Sequence, residues 1–232
     1  MSHPADDRLY VALDLPQVDQ ARALTVALGE SVSSYKIGLQ LLPIGGMDLA
    51  RELIDAGKNV FLDFKFHDID ATVEKAVRSV AGFGAQILTV HARPDVMRAA
   101  AKGAAGSDLK IIGVTVLTSL DKQDLEAIGY HDDAQTLVMR RAAQAAECGI
   151  AGVVSSPLEA ASIRKNAPKD FLIVTPGVRL PGGDKGDQKR VATPYDALNS
   201  GASHIVVGRP INAAADPKAA AQAVLANING AS

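Results

Sequence analysis

Short apolar runs alternate with stretches of helical periodicity along the whole chain. The runs cover residues 9–14, 34–39, 59–65, 86–91, 110–118, 151–156, 171–176 and 204–209. The helical stretches cover 18–28, 47–56, 71–83, 94–102, 120–128, 133–148, 158–166 and 217–227. Turn chemistry separates them: Pro16, Gly57 and Gly84 stop elements, Pro94 opens one, and Asp68 or Asp70 is the expected N-cap of the helix at 71–83. Runs that alternate with helices build a parallel sheet. Eight such units predict one (β/α)8 TIM barrel over residues 1–232, with an open doubly wound sheet as the alternative. No linker divides the chain. The period of about 25 residues is the barrel unit, because the Leu/Asn signature of a leucine-rich repeat is missing.

The pattern is broken where charges enter apolar runs. Strand side chains alternate faces, so Asp63 and Lys65 share one face of the third run, with Leu62, Phe64 and Phe66 on the other. Asp68 follows where that run should end. Barrel active sites lie at the C-terminal ends of the strands. There the chain carries Asp14, Lys36, Asp63, Lys65, His91, Thr118, Ser119, Ser155, Arg179 and Arg209. Several have plain structural roles open to them. Asp14 could cap a helix, His91 reads as a hydrogen-bonded core histidine, and Ser155 and Ser156 read as caps after Pro157. Lys36 and Lys65 do not, since a buried lysine is costly without a partner. Asp63 supplies one, and a unit pair at 4 Å is worth about 4 kcal/mol at an effective dielectric of 20, before desolvation. An alternating array of Lys36, Asp63, Lys65 and Asp68 is the expected arrangement.

A second stretch, 175–190, is Gly-rich and charged, with no apolar periodicity. Loops after strands seven and eight hold phosphate in these barrels. Gly208 allows close backbone approach, Arg209 offers a bidentate contact and Pro210 starts a helix. A mobile phosphate-gripping loop around 179–190 is therefore expected.

Composition narrows the partners. The net charge of −2 gives no field for nucleic acid or an anionic membrane. Cys148, the single cysteine, rules out an intrachain disulfide and a cysteine-based zinc site, and its Ala-rich surroundings predict a packed helix residue. The polar N-terminus is no signal peptide, and no apolar run approaches ~18 residues. A soluble cytoplasmic protein is the expectation.

Taken together, these residues resemble the orotidine 5′-phosphate decarboxylase family, in its bacterial, monofunctional form. The resemblance spans nearly the whole chain. It is carried by Val11-Ala12-Leu13-Asp14, Tyr35-Lys36-Ile37-Gly38, Asp63-x-Lys65-x-x-Asp68 with Thr72, Val114-Thr115-Val116-Leu117-Thr118-Ser119, Thr175-Pro176-Gly177-Val178-Arg179, Gly186-Asp187-Gln188 and Val207-Gly208-Arg209. The Asp-x-Lys-x-x-Asp core is shared with a wider group of sugar-phosphate enzymes; joined to the Pro-Gly-Val-Arg and Gly-Asp-Gln loop it is specific. Bacterial members usually read Asp-Ile-Pro-Asn-Thr, whereas this chain has Asp68-Ile69-Asp70-Ala71-Thr72. The extra carboxylate bears on the helix start and leaves Asp68 and Thr72 in register.

The resemblance implies loss of CO2 from C6 of orotidine 5′-monophosphate, giving UMP, with no cofactor and no metal. It implies that Lys65 stabilises the C6 carbanion and protonates it, and that Asp63 faces the departing carboxylate. Lys36 and Asp14 would hold the ribose and keep the charged array neutral, and Thr118 and Ser119 would read the pyrimidine edge. Gln188 would bridge base and phosphate, and Arg179, Gly208 and Arg209 would grip the phosphate. Ile69 and Pro176 complete the implied binding set. Asp68 and Thr72 would reach the site of a neighbouring subunit in a homodimer. Three rivals remain at this stage: a magnesium-dependent sugar-phosphate decarboxylase or synthase using Asp14, Asp63 and Asp68, a Schiff-base aldolase using Lys36 or Lys65, and a non-catalytic nucleotide-binding barrel.

Overall fold

The computed structural model describes residues 3–182 and 191–230. Its strands are β1 (Leu9–Ala12), β2 (Ser34–Gly38), β3 (Asn59–Phe66), β4 (Ile87–His91), β5 (Lys110–Val114), β6 (Gly152–Val154), β7 (Leu172–Thr175) and β8 (His204–Val207). All neighbours pair in parallel, and β8 pairs with β1, so the sheet closes into a barrel in chain order. Both faces of each strand are covered, which is why the runs read as nearly continuous apolar sequence. Inward-facing positions include Tyr10, Phe61, Ile87, Ile112, Val174 and Val206, which fill the barrel as one cluster. The outward positions between them, such as Val11, Leu62, Leu88 and Ile173, join a larger core under the helices.

The helices are α1 (Val18–Leu28), α2 (Gly46–Asp55), α3 (Asp70–Ala81), α4 (Pro94–Ala104), α5 (Lys122–Ala127), α6 (Ala134–Glu147), α7 (Ala160–Asn166), α8 (Pro194–Asn199), α9 (Arg209–Asn212) and α10 (Pro217–Ile228). Each longer one buries a single stripe: Leu49, Ala50 and Leu53 in α2, and Leu137, Val138, Ala142 and Ala145 in α6. Asp133 caps α6 by accepting the Thr136 N–H at 2.7 Å, and Asp121 and Asp124 form a capping box on α5. Among the described residues no helix is long and apolar enough to cross a membrane.

The predicted barrel is the observed one, but several boundaries move. The fifth run was expected to continue to Thr118; β5 ends at Val114, because its partners β4 and β6 end opposite it at His91 and Val154. Neither Asp68 nor Asp70 caps α3. Ile69 is the N-cap residue, with no side-chain cap. The Asp68 carboxylate instead accepts the adjacent Ile69 N–H at 2.7 Å, and Asp70 lies inside the first turn, where its charge suits the helix dipole. Asp14 caps nothing; Gln17 precedes α1. Ser156 accepts the Leu158 N–H at 3.2 Å, ahead of a helix that begins only at Ala160. Cys148 is the C-cap of α6, packed with its thiol 3.6 Å from the Pro94 carbonyl. The short α8 was not expected, although Thr193 and Pro194 carry an ordinary cap-and-proline start; six residues are too few for periodicity to register. Residues 183–190, with Gln188 and most of the expected phosphate loop, lie outside the described residues.

Candidate active site

At the C-terminal ends of the strands lies a cavity of about 430 Å³. Its apolar floor is made by Phe61, Val114, Val154 and Val206, the last three being the final inward residues of β5, β6 and β8. The walls are polar. Asp14, Lys36, Asp63 and Lys65 line one side, from the segment after β1 and from β2 and β3. Pro176, Gly177, Arg179, Gly208 and Arg209 line another, from the segments after β7 and β8. In a ring of eight, β3 and β7 stand four strands apart, so Asp63 and Lys65 lie across the mouth from the segment after β7, while β8 adjoins β1.

The charged wall is a continuous chain. Lys36 Nζ lies 3.0 and 3.2 Å from the two Asp14 oxygens and 3.4 Å from Asp63 Oδ2. Lys65 Nζ lies 2.8 Å from Asp63 Oδ1. The order is Asp14, Lys36, Asp63, Lys65, two carboxylates and two ammonium groups. The Lys36 side chain is only 8% exposed and that of Asp63 16%, so each needs its neighbours to remain charged. Burial pushes the Asp63 carboxyl up. The ammonium groups of Lys36 and Lys65, with hydrogen bonds from Lys65 and Thr89, outweigh it and hold the carboxyl below its ordinary range. The expected array had Asp68 as its fourth member; within one chain that place belongs to Asp14.

Lys65 is not held as a plain strand residue. Its φ is +51°, the one positive value among the described non-glycine residues. The β3–β4 register shifts between Leu62 and Phe66, a bulge that lengthens β3 against its partner. Inside the bulge, the Lys65 N–H donates to Thr89 Oγ1 at 2.9 Å, and that hydroxyl donates to Asp63 Oδ1 at 3.0 Å. The side chain of Lys65 still reaches the same face as Asp63, by a backbone route that simple alternation does not describe.

Thr118 lines the cavity together with Val116 and Leu117, whereas Ser119 is exposed and outside the lining. Asp68, Ile69 and Thr72 are also outside it. Asp68 and Ile69 border a separate hollow with His67, Asp70, Arg93 and Asp95, Ile69 is 72% exposed, and Thr72 is exposed. His91 is half-buried beside His67, ring centroids 4.9 Å apart. Burial first, then the positive charge of His67, Arg141, Lys65 and Arg93, lowers its pKa. Asn212 was not foreseen. It lines the cavity and donates to the Ala12 carbonyl at 3.1 Å, tying α9 to β1. No local pattern marks such a residue. Thr89 could have been found as the inward residue between Ile87 and His91.

Known proteins resemble this chain over nearly its whole length. A model of the family described as "Orotidine 5'-phosphate decarboxylase / HUMPS family" matches residues 7–224. An orotidine 5′-phosphate decarboxylase from Caulobacter sp. (strain K31) is 57% identical over 226 residues, covering 97% of this chain and 99% of that protein. The crystal structure of orotidine 5′-phosphate decarboxylase from Lactobacillus acidophilus superposes with a TM-score of 0.84 at 36% identity, covering 97% of this chain and all (100%) of that one. An uncharacterized conserved protein from Geobacillus kaustophilus superposes with a TM-score of 0.81 at 32% identity, over 95% of this chain and 100% of its own.

Proposed function

This chain belongs to the orotidine 5′-phosphate decarboxylase / HUMPS family, and from that membership we propose that it is a carboxy-lyase converting orotidine 5′-monophosphate to UMP and CO2. The observation that carries the reading is the Asp14–Lys36–Asp63–Lys65 chain lining one cavity together with Arg179 and Arg209. The pyrimidine lies on the apolar floor, with Thr118 at its edge and Pro176 beside it. Arg179 and Arg209, with the backbone at Gly208, take the phosphate, and Gln188 joins them. Lys36 and Asp14 hold the ribose.

The chemistry then follows from charge. Loss of CO2 breaks the C6–carboxylate bond and leaves its electron pair on C6, in the ring plane, where the π-system cannot absorb it. Fixed charge has to stabilise it. The Lys65 ammonium does so, and its proton forms the new C6–H bond; the Lys65 amine recovers a proton from solvent. Asp63, kept ionised by its neighbours, lies against the substrate carboxylate, and like-charge crowding there favours departure. Binding energy at the remote phosphate orders these groups before reaction. Asp68, Ile69 and Thr72 act on the site of a second copy in a homodimer; their exposure outside their own cavity supports this. A cytoplasmic location and a phosphate loop around 179–190 that closes over the ligand belong to the same proposal.

The test is a spectrophotometric assay with orotidine 5′-monophosphate, with and without excess EDTA. Equal turnover in both is expected; no turnover refutes the reading, and turnover abolished by EDTA favours a magnesium-dependent relative. Lys65→Ala should lower kcat by at least about 10³-fold, since a preorganised group aimed at developing charge contributes on that scale. It should still bind UMP, measured by calorimetry.

A further inference from the structure

Thr89 stands on β4 facing into the barrel, one layer above Ile87 of the internal core. It is fully buried, at 0% exposure, so water cannot take over its hydrogen bonds. A threonine in that layer could satisfy itself on a strand carbonyl, as Thr115 does on Val154 at 2.7 Å. Thr89 instead uses its single hydroxyl twice, and both partners belong to the charged wall. It accepts the main-chain N–H of Lys65 at 2.9 Å and donates its proton to Asp63 Oδ1 at 3.0 Å. The same Asp63 oxygen receives the Lys65 ammonium at 2.8 Å. Hydroxyl, carboxylate and ammonium therefore close a ring around Lys65, from its backbone to the tip of its side chain.

Lys65 also needs such a clasp. Its left-handed backbone is disfavoured for a residue with a Cβ, and such conformations persist where surrounding structure over-determines them. The register shift beside it takes the Lys65 N–H out of regular pairing between β3 and β4, and Thr89 gives it a partner. We propose that Thr89 is a positioning residue for decarboxylation, one hydroxyl that sets both the backbone of Lys65 and the orientation of the Asp63 carboxylate. It touches no substrate atom; it acts through the two residues that do. The inference rests on the activity proposed above.

Three variants test it: Thr89→Val keeps the shape and removes the hydroxyl, Thr89→Ser keeps the hydroxyl and removes the methyl, and Thr89→Cys matches serine in size with a weak hydrogen-bonder. Misplacement of a catalytic group by about 1 Å can cost about 10²-fold. The expected result is a fall of roughly that size in kcat for Thr89→Val, with KM for orotidine 5′-monophosphate and Kd for UMP nearly unchanged. Thr89→Ser should stay within a few-fold of wild type. A packing role would reverse that order, with serine worse than valine. Wild-type kcat in Thr89→Val, or a serine variant as slow as the valine one, overturns the proposal. Should Thr89→Val show no cooperative unfolding transition, Thr89→Cys replaces it, and a cysteine variant as fast as the serine one is equally fatal. A wild-type protein without turnover on this substrate refutes the assigned activity instead, which the same assay reveals first.

Discussion

Gly38 shows how closely the charged wall is built. It ends β2, and a Cβ placed there would stand 2.8 Å from Asp14 Oδ1 and 3.0 Å from Lys36 Nζ. Both atoms are side-chain tips and can yield, so Gly38→Ala should fold with a Tm near wild type. The Asp14–Lys36 pair cannot yield and keep its place. The expected result is a fall in kcat/KM of about 10- to 100-fold with an unchanged circular dichroism spectrum; wild-type kinetics would show that the close approach has no bearing on turnover. Residues of this kind differ in how far sequence reveals them. Asp63 and Lys65 stand out because charge is rare inside an apolar strand. Gly38 reads as an ordinary strand end, and Asn212 as an ordinary helix residue, since their significance lies in what another segment brings beside them.

At the scale of elements, two connections shape the cavity. The first is the bulge in β3, which holds Lys65 at positive φ at a cost of about 1–2 kcal/mol. Period-two alternation placed Lys65 on the correct face without anticipating the bulge. The second is the segment after β5, which brings Val116, Leu117 and Thr118 to the cavity. It is pinned from α6, where Arg141 donates to the Thr115 carbonyl and, at 2.7 Å, to the Tyr130 hydroxyl. The guanidinium also lies 5.0 Å from the centre of the Tyr130 ring. One side chain thus ties both ends of the β5–α6 connection. Arg141→Leu should cost about 1.5–3 kcal/mol, the scale of hydrogen bonds from a charged group, read from urea unfolding. It should raise KM for orotidine 5′-monophosphate more than it lowers kcat. An unchanged KM would separate the connection from substrate binding.

For the molecule as a whole, the arrangement of the carboxylates carries the argument. Asp14 sits with the lysines of its own barrel, and Asp68 sits outside, beside exposed Ile69 and Thr72. If Asp68 serves a second copy, Lys65→Ala and Asp68→Ala proteins should each be nearly inactive alone. After dissociation and random reassociation, about a quarter of wild-type activity should return, since half the pairs are mixed and each holds one intact site. No recovery would place the action of Asp68 within its own barrel, or nowhere.

Eight repeated units, a parallel sheet and a charged third strand were legible because periodicity, turn residues and side-chain alternation act over a few neighbours. The same local rules placed the cap of α3 wrongly and assigned Asp68 to the array. They put Asp14 at the barrel mouth, but could not show that it closes the charged chain with Asp63, which follows it by 49 residues. That choice came from strand register. Ala12 pairs with Lys36 and Gly38 with Asp63, so the segment after β1, the end of β2 and Asp63 of β3 lie side by side at one height. Register between distant strands is set by barrel closure and by the packing of both faces, and that is a property of the folded ring.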